Sequence, residues 1–129
     1  MNWDDAIDFS FEGQTKEAKV LSVYDGDTVK IAFPLGDTMY RWNCRILGVD
    51  TPELRTRNLK EKEMGYMVRD KLREKVLDKI VNVTCGDFDK YGRLLIKITC
   101  EDGDDVSDWL ISNEYAYAYN GGTKRQWPQ

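Results

Sequence analysis

Arg45-Ile46-Leu47-Gly48-Val49-Asp50-Thr51-Pro52-Glu53 reads as a strand that ends in a turn carrying charge. Apolar residues lead up to Pro52, which fixes its own φ and has no N–H to give a sheet, so the extended run stops there. An arginine on the strand, an aspartate at its end and a glutamate past the turn put three groups within one short span. They are a phosphate-sized cationic donor, a hard oxygen ligand and a candidate general base. By itself the span also reads as a strand end whose charges are merely solvated.

Strand-like runs flank it on both sides. Residues 19–24 and 28–33 are rich in β-branched and aromatic residues and are joined by Asp25-Gly26-Asp27, a hairpin signal in which both aspartates could serve the turn alone. Pro34-Leu35-Gly36-Asp37 is a second turn. Residues 39–49 form a long third strand in which Tyr40, Trp42, Cys44 and Ile46 alternate with Met39, Arg41, Asn43 and Arg45, so Arg45 points away from Ile46. Met64, Met67, Val68, Leu72 and Val76 recur at helical spacing and predict an amphipathic helix with the methionines in the core. Residues 80–85 and 94–100 supply the fourth and fifth strands, and Val106, Trp109 and Leu110 the core face of a short second helix. Glu101-Asp102-Gly103-Asp104-Asp105 fails the EF-hand pattern and reads as a turn and helix cap.

Three strands, a helix and two strands fit an α+β fold of the OB type. That is a five-stranded Greek-key barrel with a helix between strands three and four and a short C-terminal helix. At 129 residues the chain is large enough for one core. The expected divisions are an acidic arm over 1–17, the barrel domain over 18–120 and a tail over 121–129. The aromatic–alanine alternation of Tyr115 to Tyr119 suits either stacking on bases or plain packing.

Composition removes several chemistries. With no histidine, Ser-His-Asp hydrolases, histidine-based ribonucleases and His-containing zinc sites are excluded, leaving carboxylate, arginine and metal for hydrolysis. Cys44, Cys85 and Cys100 are odd in number and widely spaced, which predicts reduced, buried thiols. No apolar run approaches the roughly 18 residues of a membrane span, so no membrane partner is expected. The acidic start lacks a basic n-region and an apolar h-region; no signal peptide and an intracellular location are expected. The net charge of −4 opposes general nucleic-acid binding, but residues 55–75 are locally basic.

Asp25-Gly26-Asp27-Thr28, the central stretch and Asp89-Lys90-Tyr91-Gly92-Arg93, in that order over residues 19–113, resemble the staphylococcal nuclease (thermonuclease-like) family. The resemblance implies a calcium-dependent nuclease that hydrolyses phosphodiester bonds of DNA and RNA, single strands preferred, at the 5′ oxygen to leave 3′-phosphates. It further implies Ca²⁺ held by Asp27, Asp50 and the carbonyl of Thr51, Glu53 as general base, and Arg45 and Arg93 as phosphate-binding arginines. Lys90 and Tyr91 match contacts to a second phosphate, and Leu95 a base-facing apolar residue. Tyr117 or Tyr119 fills the family's nucleotide-flanking role only if the tail shifts, and the cations after Glu53 border the site. The partners implied are DNA and RNA, with the protein a monomer. The alternative is a non-catalytic OB-type module that binds single-stranded nucleic acid or a protein.

Overall fold

A computed structural model describes residues 1–122 and Trp127. Apart from Gly121, Gly122 and Trp127, the tail expected over 121–129 lies outside the described residues. Five strands close a barrel: β1 (Thr15–Asp25), β2 (Thr28–Leu35), β3 (Thr38–Ile46), β5 (Ile80–Phe88) and β6 (Leu94–Thr99). A two-residue strand, β4 (Val49–Asp50), lies outside the barrel, and helix α1 (Leu59–Val76) follows it. The barrel order is β1-β2-β3-β6-β5, with β5 returning to β1. All neighbours are antiparallel except β3 and β6, which run parallel. This is the OB fold, as the order of strands and helix predicts.

One strand closes the barrel by serving two partners. The first part of β1 pairs with β5 from Thr15↔Thr84 to Lys19↔Ile80, and the remainder with β2 from Lys19↔Ala32 to Asp25↔Thr28. Its register shifts between Val20 and Ser22, where the extra residue lets the strand bend. The strand therefore begins before the β-branched run that marks it in sequence. Ahead of it Phe11 is buried, edge-on to Phe33 and Trp42 at 5.5 and 5.1 Å. The acidic stretch is thus tied to the barrel by an aromatic, each such burial being worth about 1.5–3 kcal/mol.

β3 stops earlier than the unbroken apolar pattern of residues 39–49 predicts. Leu47-Gly48 turn the chain, with Gly48 at φ +86°, a conformation open to glycine and strained for other residues. β4 then pairs with β7 (Tyr117–Ala118), Val49 opposite Ala118 and Asp50 opposite Tyr117. The alternating tail is therefore a strand beside the central stretch, and Tyr117 stacks on the buried Trp127 at 4.4 Å.

Helix α1 starts at Asn58, whose side-chain oxygen accepts the Glu61 N–H at 3.1 Å. Its buried positions are Gly65, Val68, Leu72 and Val76. Met67 is 40% exposed, contrary to the core position its spacing predicts, because the buried stripe runs through Gly65 rather than through the methionines. The second helix, α2 (Val106–Ser112), buries Val106 and Leu110 and leaves Trp109 partly covered. The three cysteines are free and buried, and burial pushes the Cys44 thiol up to about 12. Among the described residues no helix is long and apolar enough to cross a membrane.

Candidate active-site cleft

Where the β1–β2 hairpin meets the end of β3, backbone pairing sets the positions of the side chains. The hairpin turn is tight, with Asp25 paired to Thr28 and the Asp27 N–H donating to the Asp25 carboxylate at 3.1 Å. Gly26 sits at its tip because nothing larger fits. A Cβ there would lie 2.7 Å from Val68 Cγ1 and 2.8 Å from Thr51 Cβ, so the absent side chain lets the hairpin press against both α1 and the central stretch. Thr28 stands opposite Arg45, and the Asp27 carbonyl accepts the Ile46 N–H at 2.8 Å. Residues 27 and 45, far apart in sequence, are thereby made neighbours.

Arg45 is held on three sides. One terminal nitrogen of its guanidinium, Nη1, lies 3.2 Å from Asp27 Oδ2 and donates to the Ile46 carbonyl at 3.1 Å; the other, Nη2, donates to the Val49 carbonyl at 3.1 Å. The arginine therefore clips the Leu47-Gly48 turn while reaching the cleft. Across the cleft Arg93 Nε donates to Asp89 Oδ2 at 2.7 Å, and Asp89 Oδ1 accepts the backbone N–H groups of Tyr91 and Arg93, each at 2.9 Å. Burial acts to raise the Asp89 pKa, but these hydrogen bonds and the Arg93 charge outweigh it and hold the carboxyl below its ordinary value.

A cavity of about 280 Å³ is lined by Asp25, Asp27, Arg45, Thr51, Glu53 and Arg93, with Tyr24 and Thr28 completing the described lining. Asp27, Asp50 and Thr51 are buried, whereas Glu53 is exposed at the rim. The first turn of α1 ties the loop that carries Glu53. One Glu61 carboxylate oxygen accepts the Glu53 N–H at 2.9 Å, and the other accepts the Thr56 hydroxyl at 3.4 Å.

Asp50, on β4, does not itself line this cavity. Lys90 and Tyr91 sit on the exposed β5–β6 turn, where Lys90 Nζ is 5.2 Å and the Arg93 guanidinium carbon 5.5 Å from the Tyr91 ring centre. Leu95 lines an adjoining, mostly apolar cavity of about 490 Å³ with Arg45, Lys97, Tyr119 and Asn120. The Tyr119 ring lies 6.0 Å from the Arg45 guanidinium carbon, and its N–H donates to the Gly48 carbonyl at 2.9 Å. Tyr119 thus stands beside Leu95, whereas Tyr117 is stacked against Trp127.

The Asp-Gly-Asp pattern marks Asp25 as a turn residue. Its carboxyl also lines the cleft, where burial, and then the Asp27 charge, push its pKa up to about 7. Asp89 was part of a motif without a role of its own. A carboxylate four residues before an arginine across an Asp-x-x-Gly turn was the available signal.

Fit to a cation can be judged from the donors. Among the described residues no three Asp, Glu, His or Cys side chains come together to hold an ion. Asp27 and Asp50 are buried carboxylates, and with the Thr51 carbonyl they are hard oxygen donors of the kind taken by a hard divalent ion that keeps water ligands. These residues therefore fit the group.

The fold and cleft define an OB-type barrel that gathers carboxylates and two arginines at one end. More particularly, the family model described as staphylococcal nuclease homologue matches residues 43–127, and the chain belongs to that family. Proteins named "Uncharacterized endonuclease" from Escherichia coli O157:H7 and Escherichia coli are each 29% identical to it over 101 residues, 78% of this chain. The chain spans 60% of the length of those relatives. The matched segment contains Arg45, Asp50, Thr51, Glu53 and Arg93; Asp27 lies upstream and reaches the cleft through the hairpin.

Proposed function

We propose that the protein is a calcium-dependent nuclease that hydrolyses phosphodiester bonds of DNA and RNA, single strands preferred, at the 5′ oxygen to leave 3′-phosphates. The observation that carries the proposal is the convergence of Asp27, Arg45, Thr51, Glu53 and Arg93 on one small cavity. The named endonucleases among the relatives support the same reading.

Asp27, Asp50 and the Thr51 carbonyl would hold Ca²⁺, which when bound supplies Lewis-acid polarisation of the phosphate. Glu53, at the rim and anchored through its own N–H, accepts the proton of the attacking water. Arg45 and Arg93, both in the cavity lining, would bind the phosphate and stabilise the charge that grows on its oxygens. Three of the five N–H donors of a guanidinium are accounted for in Arg45 by Asp27, Ile46 and Val49, leaving donor capacity for a phosphate oxygen. Lys90 and Tyr91 take the neighbouring phosphate, and Leu95 with Tyr119 the base.

The test compares wild type with Glu53→Gln on single-stranded DNA and RNA with Ca²⁺, Mg²⁺ or chelator. Calcium-dependent cleavage by wild type and a kcat lower by about 100- to 10,000-fold in a folded Glu53→Gln is the expected result. Binding of single strands by a folded, calcium-loaded wild type without cleavage overturns it in favour of a non-catalytic binding module.

A further inference from the structure

The cleft opens, past Tyr24, onto a groove that the catalytic reading does not use. This groove, of about 630 Å³, runs between the end of β1, the 54–56 loop and the flank of α1 beside β1. Tyr24, Arg55, Lys62, Tyr66, Arg69 and Arg73 line it, and no carboxylate is among its described lining. In a chain of net charge −4, four cations converging on one concave surface run against the overall balance. Lys62, Tyr66, Arg69 and Arg73 follow at intervals of four, three and four residues, so they form a single stripe along α1.

Two of these cations are held in place. Arg73 donates from Nε and Nη2 to the Val23 carbonyl at 3.2 and 3.0 Å, which fixes its guanidinium on the floor formed by β1. Arg69 lies over the Tyr66 ring, 4.6 Å from its centre, and pairs with Asp70 at 3.0 Å; the same carboxylate lies 3.9 Å from Arg73 Nη1. Tyr66 and Tyr24 are 41% and 51% exposed, and Tyr66 presents its ring beside Arg69. Alternating cations and exposed aromatic rings along a groove is the chemistry that holds a single strand, phosphates on the cations and bases on the rings.

We propose that this groove binds the single-stranded nucleic acid flanking the scissile phosphate. Tyr24 lines both the cleft and the groove, so a strand leaving the cleft passes directly into it. The proposal rests on the nuclease reading. It adds that the protein acts on strands longer than the nucleotides at the cut, with the groove setting affinity and the cleft setting turnover.

The experiment uses the full chain and two substrates, a thymidine dinucleotide and a 12-nucleotide oligothymidylate, with wild type, Lys62→Gln/Arg69→Gln and Tyr66→Ala. These side chains lie outside the buried stripe of α1, and circular dichroism checks that each variant is folded. For the 12-mer the double variant raises KM about tenfold with kcat unchanged, while dinucleotide kinetics stay as in wild type. Equal effects on both substrates, or none on either, overturn the groove.

Binding is read separately, by fluorescence anisotropy of the labelled 12-mer in a Glu53→Gln background across a salt series. There the double variant weakens binding about tenfold and flattens the slope of log Kd against log salt by about 0.7 per cation removed. If wild type cuts neither substrate, the nuclease reading fails, while a weakened, flatter binding curve still supports the groove. An unchanged curve, or no binding by the parent, overturns it.

Discussion

Two arginines line the cleft, each paired with an aspartate, and the two pairs are built in different ways. Arg93 and Asp89 are four residues apart on the β5–β6 turn, and the pair is local, with 31% and 15% of the side chains exposed. Arg45 and Asp27 are joined only because β2 and β3 pair with Thr28 opposite Arg45, and they retain 14% and 12% exposure. The first pair is formed by a turn that the chain makes by itself, the second by the pairing of two strands. A pair formed within one turn, its arginine 31% exposed, contributes little to stability; a pair held between elements costs more to break, since removing one partner strands the other. The same arginine chemistry is therefore coupled to the fold at one end of the cleft and nearly independent of it at the other.

The largest expected effect breaks this comparison at its buried end. Arg45→Ala should lower kcat/KM on single-stranded DNA by on the order of 10,000-fold, since both phosphate donors and the partner that orients Asp27 are lost. It should also cost about 2–4 kcal/mol in urea unfolding. Arg93→Ala should lower kcat/KM by about 1,000-fold while costing no more than about 1 kcal/mol. Equal stability losses in the two variants would mean that the distinction between local and tertiary pairing is wrong.

The hairpin that creates the buried pair can be probed without touching a charge. Gly26→Ala puts a Cβ into Val68 and Thr51, and overpacking of this kind costs about 1–3 kcal/mol. Activity measured below the new Tm should fall as the Asp27–Arg45 spacing changes. Metal linkage sharpens the comparison further. Calcium should raise the Tm of wild type by an amount that grows with its concentration, and Asp27→Asn should abolish that rise.

The smallest effect belongs to the local pair. Hydrogen bonds and the Arg93 charge hold Asp89 below its ordinary pKa, so the folded state binds fewer protons than the unfolded chain around the normal carboxylate range. Its contribution to stability is present above the unfolded value and is lost as pH falls through the lower folded one. Asp89→Asn should therefore flatten the acid limb of a Tm–pH curve and cost about 1 kcal/mol or less at pH 7. A steeper acid limb in the variant would contradict the assignment.

Much of this was legible in the linear chain because each part has a local cause. Asp-Gly makes a hairpin, β-branched runs make strands and charges cluster where strands stop. Other features carry no local mark. The early start of β1 depends on its pairing with β5, and the place of Tyr119 beside Leu95 depends on β7 pairing with β4. The exposure of Met67 follows from which face of α1 meets the barrel, a choice that apolar periodicity leaves open by one position.

By itself the sequence determined the kinds of groups available: carboxylates, arginines and tyrosines without histidine, placed at strand ends by proline, glycine and β-branched residues whose backbone preferences act locally. Only the tertiary structure decided which of them share a space. Strand register put Arg45 beside Asp27, the missing Cβ of Gly26 drew the hairpin onto Thr51 and α1, and burial there raised the Asp25 pKa. Proximity and desolvation arise from elements packed against one another, and neither is a property of any one stretch of chain.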